Sequence, residues 1–175
     1  MKTRIWNTAW ILLVSFALPD GIAEAAWTKF TSPNGYFTAS FPTTPVETQK
    51  SDKTFIGTIW ENIARSKSAA GSFAVEYSKL PGIAVDLGGH NEIFKKAKDG
   101  FLKQTGASET SYSDISLGSA PGKEMIYQTA SGQSGKIRMY IDGHRFYFLD
   151  AQSPQGNSAT DPFFSSFQIL PAPDK

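Results

Sequence analysis

Two arginines and two tyrosines late in the chain have the chemistry of a recognition surface. Arg138 and Tyr140 alternate along one stretch, and Arg145 and Tyr147 follow after a short turn. Arginine binds carboxylates or phosphates in a bidentate manner, and tyrosine adds rigid contact area at low entropic cost. We therefore predict Arg138, Tyr140, Arg145 and Tyr147 as a candidate interaction surface.

A structural role for these four residues is the competing interpretation, and the sequence favours it. Such side chains commonly pair across strands with acidic residues, here Glu76, Glu124 or Asp150. A pair of this kind contributes only ~0.2–1 kcal/mol on a half-exposed sheet and needs no ligand. Whether all four side chains share one face depends on the register of the hairpin that joins them.

The two histidines, His90 and His144, stand in no recognisable catalytic pattern. His90 lies near Asp86 and Glu92, which is at most a weak site for a divalent ion. On a helix, residues two apart diverge, so capping and solvation at a helix start are favoured. His144 follows a presumed hairpin tip and is expected to be solvated. Nothing indicates a Ser-His-Asp triad, and we predict no catalytic residue, metal ligand or cofactor.

Two glycine-rich segments resemble catalytic loops without meeting their requirements. A phosphate-binding loop needs four residues between its glycines, then Lys, then Ser or Thr at a helix start. Residues 118–123 have three residues between the glycines, and Glu124 follows the lysine. Residues 132–135 are followed by Lys136 and lack the strand-to-helix turn of a nucleophile elbow. Both segments are predicted to be turns between strands.

A lysine-rich helix face is the second candidate surface, formed by Lys95, Lys96, Lys98 and Lys103. Most such faces are the solvated side of an amphipathic helix. In an exported protein, this face would otherwise suit anionic lipid, a cell-wall polymer or an acidic partner. The aromatic residues fall mostly at inward positions, so they are predicted to form the core.

Composition narrows the class of protein further. The 175 residues are 40% hydrophobic and 19% charged, with a net charge of +1, which is typical of a globular domain. A nucleic-acid partner is not expected, because a binding domain usually carries a large basic excess. The chain has no Cys, which excludes disulfides, thiolate metal sites and cysteine nucleophiles.

The first 25 residues have the pattern of a cleavable signal peptide. Lys2 and Arg4 precede a mostly apolar stretch over residues 9–18, and Ala23 and Ala25 supply the small residues before a cleavage site. An uncleaved anchor is the alternative, but ten apolar residues reach only ~15 Å as a helix, against ~30 Å of bilayer hydrocarbon. We predict cleavage after residue 25, a single domain over 26–175 without a transmembrane segment, and a periplasmic or secreted location.

Alternation of apolar and polar residues predicts a sheet. Ile137, Met139 and Ile141 alternate with polar neighbours, and turn residues separate similar runs at short intervals. The stretch 55–63 is ambiguous, because its apolar spacing suits a helix and its residue types suit a strand. The predicted strands are residues 27–30, 36–41, 53–65, 72–79, 111–117, 123–130, 136–142 and 144–151.

Two helices complete the predicted fold. Phe94, Ala97 and Phe101 form an apolar stripe over residues 89–105, with a glycine stop at Gly106. A shorter helix is expected to begin with Asp161 as its N-cap. Strands followed by a helix, more strands and a helix indicate an α+β domain, in which helices flank a predominantly antiparallel sheet of six to nine strands.

Turn and aromatic residues follow a recognisable order over nearly the whole chain after the signal peptide. They are Trp27, Phe30, Ser32, Pro33, Gly35, Phe37, Phe41, Pro42, Pro45, Leu117, Gly118, Pro121, Gly122, Glu124, Arg138, Tyr140, Arg145, Tyr147, Phe163, Phe164, Ser166 and Phe167. This order resembles that of exported domains of the PsbP-like family. The resemblance implies an antiparallel sheet between helices in an α/β/α sandwich, and a non-catalytic role. Members with known roles are extrinsic subunits or assembly factors of photosystem II, and a structural relative binds a small GTPase.

Two classes of function remain open. The first is an exported, non-catalytic binding or accessory domain of the cell envelope, whose partner is an envelope protein or a cell-surface component. The second is an exported hydrolase with a dispersed Asp, Glu or His acid-base site. A cleft with carboxylates of perturbed pKa would favour the hydrolase. A grooved or flat apolar patch with a polar rim would favour the binding domain.

Overall fold

The computed structural model describes residues 27–54 and 57–171. This part of the chain contains ten strands, two α-helices and one turn of 3-10 helix. The elements are β1 (Thr28–Ser32), β2 (Phe37–Phe41), β3 (Val46–Thr54), β4 (Gly57–Ser68), β5 (Gly71–Lys79), α1 (Gly82–Thr105), β6 (Ser108–Leu117), β7 (Ala120–Gln128), β8 (Ser134–Asp142), β9 (Arg145–Gln152), the 3-10 turn (Asn157–Thr160), α2 (Asp161–Ser166) and β10 (Gln168–Ile169).

The strands form two antiparallel sheets. The large sheet has seven strands in the order β3-β4-β5-β9-β8-β7-β6, and the small sheet has three in the order β1-β2-β10. Most neighbours in the large sheet are consecutive in the chain, so short turns suffice to connect them. The long connection between β5 and β6 contains α1. The predicted α+β class and predominantly antiparallel sheet are confirmed.

Each face of the large sheet is covered by a different layer. On one face, α1 packs against β7, β8 and β9. On the opposite face lie the small sheet and α2, whose aromatic residues make the larger core. The α1 cluster contains Phe94, Met125, Tyr127, Ile137, Met139, Ile141 and Phe148, and the aromatic cluster contains Phe37, Phe41, Phe73, Tyr77, Tyr140, Tyr147, Phe163, Phe164 and Phe167.

The long helix carries the predicted apolar stripe. Phe94 is buried, and Ala97 and Phe101 pack beside it. The helix ends where predicted, since Gly106 takes a left-handed conformation and its N–H donates to the Leu102 carbonyl. It begins earlier than expected, at Gly82, and bends at Gly89, which has non-helical angles (φ 65°, ψ 162°). That positive φ is accessible to glycine at little cost, so the chain kinks there.

The boundaries of several predicted elements were wrong. The single strand predicted over 53–65 is part of two strands, β3 and β4, and residues 55–56 lie outside the described part. The turn after β6 is shorter than predicted, because β7 begins at Ala120 rather than at residue 123, and positive φ at Gly118 permits this tight connection. The short β10 was not predicted, because two residues carry no measurable alternation.

Asp161 does not cap α2, contrary to the prediction. It has helical angles, and Thr160 precedes it at the cap position without a side-chain capping bond. The Asp161 carboxylate instead accepts a hydrogen bond from Lys136 Nζ at 2.8 Å. Phe163 and Phe164 of α2 are both buried, in agreement with the inward positions predicted for the aromatic residues.

Candidate binding surfaces

The hairpin of β8 and β9 brings all four predicted surface residues onto one face of the sheet. Tyr140 lies opposite Tyr147, and Arg138 lies opposite Leu149. Arg145 is two residues from Tyr147, so its side chain points to the same side. The register therefore resolves the question that the sequence left open.

Both tyrosines on this face are buried. Tyr140 is 3% exposed and Tyr147 is 0% exposed. The ring of Tyr140 stacks on Phe167 with centroids 5.9 Å apart, and Tyr147 meets Phe37 edge-on at 6.3 Å. The α2 segment and the small sheet cover both rings. Burial also raises the pKa of both hydroxyls.

The polar atoms of this hairpin hold the two layers together. Tyr147 Oη donates to the Gly35 carbonyl at 3.1 Å. Arg145 donates to the Leu170 carbonyl at 2.9 Å and pairs with Asp142. The bonds to Gly35 and Leu170 reach from the large sheet to the turn after β1 and to the residue that follows β10. These hydrogen bonds therefore stabilise the packing of the small-sheet layer on the large sheet.

Arg138 is also engaged within the molecule. Its Nε donates to Glu124 at 2.7 Å, and its guanidinium lies 5.1 Å from the centre of the Phe164 ring. Glu124 was one of the acidic partners expected under the structural interpretation. The predicted interaction surface thus reduces to the partly exposed edges of two arginines.

The lysine face of α1 is matched by nearby carboxylates. Lys95 pairs with Asp99 at 3.1 Å, and Lys96 lies 3.8 Å from Glu92. The third pair, Lys98 with Glu109 of β6, is joined at 2.6 Å. Because these partners neutralise much of the charge, the face gives weak support to binding of an anionic polymer.

Both histidines line one cavity, which sequence reasoning did not foresee. A cavity of about 440 Å³ has His90, His144, Ser119 and Asp142 among its lining residues. Within the described residues, no hydrogen bond joins either histidine to Ser119 or Asp142, and no group of three potential ligands is placed to hold a metal. The side chain of Asp86 lies outside the described part.

A partly buried carboxylate lies on the α1 face of the large sheet. Tyr127 Oη donates to Asp150 Oδ1 at 2.6 Å. Burial raises the pKa of Asp150 to about 6, and the hydrogen bond from Tyr127 only partly opposes this effect. Burial, together with the negative charge of Glu61, raises the pKa of Glu76.

The ring of Tyr127 packs directly over Gly135, where a Cβ atom would clash with it.

This carboxylate was missed as a site because its setting depends on cross-strand register. The alternation Phe146, Phe148, Asp150 was the available signal, since it directs Asp150 to the apolar side. Asp150 and Glu76 line neither the histidine cavity nor the two cavities beside the β3–β4 hairpin that are described below. The carboxylates therefore have perturbed pKa values without forming part of these clefts.

The β3–β4 hairpin presents the most accessible apolar surface. Val46 is 68% exposed and Trp60 is 53% exposed, and they are the exposed large hydrophobic residues of the described chain. Pairing of β4 with β5 begins at Glu61. The part of the hairpin from Trp60 outward therefore extends beyond the third strand.

Two cavities lie beside this hairpin, on opposite faces. One, of about 450 Å³, is lined partly by Val46, Ile63, Arg65 and Lys67. The other, of about 170 Å³, is lined by Asn34, Glu47, Thr48, Gln49 and Asn62. Val46 lines the larger cavity, and Trp60 lies two residues along β4 from Asn62, which lines the smaller one.

Comparison with solved structures identifies the fold. The solution structure of cyanobacterial PsbP, CyanoP, from Synechocystis sp. PCC 6803 superposes with a TM-score of 0.56. The match covers 89% of this chain and 99% of CyanoP, at 9% sequence identity. The chain has a PsbP-like fold.

Other comparisons add no functional assignment. A crystal structure from Bacteroides thetaiotaomicron matches with a TM-score of 0.42 and 16% identity, over 84% of this chain and 50% of that chain. No protein-family model matches the sequence, and no curated protein matches it. In the described ranges, no helix of this PsbP-like domain is long and apolar enough to span a membrane.

Proposed function

We propose that this PsbP-like chain is an exported, non-catalytic accessory domain that binds another component of the cell envelope. The supporting observation is the β3–β4 hairpin, which exposes Val46 and Trp60 beside two cavities. Exposed apolar side chains next to polar groups are characteristic of binding surfaces. By contrast, Arg138 and Arg145 are already engaged by partners within the molecule.

Export is the first part of this proposal. It is supported by the signal-peptide pattern of residues 1–25, which lie outside the described residues. The test is to isolate the native protein from fractionated cells and to determine its N-terminus by mass spectrometry. We expect Ala26 as the first residue, in the periplasmic or secreted fraction. Recovery from the cytosol with Met1 or Lys2 still attached would contradict export.

Binding is the second part, and affinity capture from envelope extracts tests it. The tagged protein is compared with a Val46→Thr/Trp60→Ala variant and with an Arg138→Ala/Arg145→Ala variant. We expect a partner that is retained by the arginine variant and lost by the hairpin variant. Loss with the arginine variant alone, while it remains folded, would return the contact surface to the β8–β9 hairpin.

A hydrolase is the second candidate, and the raised pKa of Asp150 is the observation that favours it. A carboxylic acid with a pKa near 6 is suited to general acid-base catalysis near neutral pH. A panel of ester, glycoside and peptide substrates, assayed with the native protein and with Asp150→Asn, separates the candidates. Turnover that disappears in Asp150→Asn would favour the hydrolase over the accessory domain.

A further inference from the structure

We propose that the β3–β4 hairpin binds a neutral carbohydrate on the face that carries Trp60. This inference rests on the proposed envelope-binding function and names the chemistry of the ligand. The tryptophan face is defined here by Trp60 and by the polar side chains of Asn34, Glu47, Gln49 and Asn62. The last four residues line the cavity of about 170 Å³.

The register of the hairpin places these residues together. Gln49 lies opposite Asn62, and Ser51 lies opposite Trp60. Residues two apart on a strand share a face, so Trp60 and Asn62 point to the same side, as do Glu47 and Gln49. Asn34 joins them from the turn between β1 and β2. Three separate segments of the chain therefore contribute to one surface.

The polar groups of the cavity are oriented within the molecule and still have bonding capacity. Gln49 Nε2 donates to Asn62 Oδ1 at 2.9 Å, and Ser32 donates to Glu47 Oε1 at 2.9 Å. These two bonds leave the Asn62 amide donors, the Gln49 carbonyl and the second Glu47 oxygen available. A sugar hydroxyl both donates and accepts, so adjacent amide and carboxylate groups match its needs.

Trp60 provides the apolar part of the site. Its side chain is 53% exposed, although tryptophan is highly buried on average. A sugar ring has an apolar C–H face, which an accessible indole can cover. The cavity is several times the ~30 Å³ that one water occupies in the liquid, which suits part of a sugar ring.

The charge at the site disfavours an anionic ligand. Glu47 is the charged residue among those that line the cavity, and its carboxylate would repel an anion. Lys50 lies on the opposite face of the hairpin, where it pairs with Glu61 at 2.7 Å. An anionic lipid or phosphopeptide would find no matching cation among the lining residues. Neutral glycans lack this conflict, and an exported protein meets them at the envelope.

Titration with three neutral oligosaccharides tests the inference. The exported protein is titrated calorimetrically with triacetylchitotriose, cellotriose and maltotriose, up to about 10 mM. Trp27→Phe leaves Trp60 as the sole indole after residue 25, so its fluorescence reports contact at this face. We expect at least one sugar to bind and to shift this fluorescence. Trp60→Ala and Asn62→Ala should each weaken binding about tenfold.

Glu61→Gln is the matched control, because Glu61 lies on the opposite face of the same hairpin, where it pairs with Lys50. It should leave the sugar affinity unchanged within about twofold. Binding of none of the three sugars, or binding unaffected by Trp60→Ala and Asn62→Ala, would overturn the inference. If no sugar binds but an envelope protein is captured through the hairpin, the carbohydrate inference fails while the accessory function stands. Failure of both experiments would reject both proposals.

Discussion

Two hairpins of the large sheet, β8–β9 and β3–β4, differ in how much of their surface is exposed to solvent. In β8–β9, regular alternation produced a polar-looking side with arginine and tyrosine, yet Tyr140 and Tyr147 are buried there. In β3–β4, the pattern was ambiguous, yet the hairpin exposes Val46 and Trp60. The position of each hairpin in the sheet explains the difference.

β9 and β8 lie near the centre of the sheet, whereas β3 lies at its edge. Central strands are covered on both faces, so a tyrosine on the more polar side joins a second core. An edge hairpin that extends past its neighbour has fewer layers to cover it. Alternation therefore shows which residues share a face, and the number of covering layers determines which faces water reaches.

The largest expected effect is the loss of stability when a buried aromatic ring is removed from β8–β9. Tyr147→Ala should lower the free energy of unfolding by ~3–5 kcal/mol, because it leaves a cavity among Phe37, Tyr77 and Phe167. Chemical denaturation measures the loss. Tyr147→Phe is the control that keeps the ring, and it should cost only ~0.5–1.5 kcal/mol for the lost hydrogen bond to Gly35.

If Tyr147→Ala lowers the free energy of unfolding by less than about 1 kcal/mol, the contrast between the two hairpins is wrong, because Tyr147 would then lie at an accessible surface. In that case the β8–β9 hairpin would again be the leading candidate for partner contact.

The next largest effect concerns the layer on the opposite face. Phe101 of α1 packs against Tyr127 at 4.9 Å and Phe148 at 5.7 Å between ring centroids, but it is only half-buried. Phe101→Ala should therefore cost roughly 2–4 kcal/mol, at or below the usual range for a core ring. Thermal or chemical unfolding checks this value. Lys103→Ala, an exposed position on the same helix, is the control and should be nearly neutral.

Much of the fold followed from local patterns. The stripe of Phe94, Ala97 and Phe101 located α1, and the alternation of 136–142 gave β8 with nearly its observed bounds. The split between β3 and β4 did not follow, because Phe55, Ile59 and Ile63 also fit helical spacing. The covering of β8–β9 by α2 and the small sheet is a long-range arrangement that no local pattern contains.

The surfaces were harder to predict than the elements. The Gln49–Asn62 pair and the Tyr127–Asp150 bond each join residues on different strands, and they depend on register. Trp60 was assigned to the core because aromatic residues are usually buried, a reasonable expectation that fails at an uncovered edge. Its neighbours in sequence carry no sign that β5 ends before reaching it.

The third largest expected effect is the dependence of the free energy of unfolding on pH that Asp150 causes. The pKa of Asp150 rises from 3.8 to about 6 on folding, so the folded state holds this proton more strongly than the unfolded state. The contribution of Asp150 to stability therefore falls as pH rises from about 4 to 6. The full shift would correspond to ~3 kcal/mol, which partial exposure reduces to about 1–2 kcal/mol.

Asp150→Asn removes this titration and keeps an acceptor for Tyr127. The variant should gain stability relative to the native protein between pH 4 and pH 8, as measured by urea denaturation at both values. Asp114→Asn is the control, because Asp114 lies on the edge strand β6 and its side chain is largely exposed. Its stability relative to the native protein should not change comparably with pH. Parallel pH profiles for the native protein and Asp150→Asn would mean that Asp150 is as solvated as a surface carboxylate.

The smallest expected loss of stability is that of Trp60→Ala, and it is the most direct test of whether the two hairpins have different roles. Trp60→Ala should cost less than about 1 kcal/mol, because half of the side chain is already exposed and the adjoining strand β5 begins pairing only at Glu61. Chemical denaturation measures this cost, and calorimetric titration measures ligand binding by the same variant. A loss above about 2 kcal/mol would mean that the ring packs on the body of the protein, so that any change in binding would reflect damage to the hairpin. A small loss of stability with a large loss of binding would instead separate the two hairpins by role, since β8–β9 stabilises the layers and β3–β4 is left free to bind a partner.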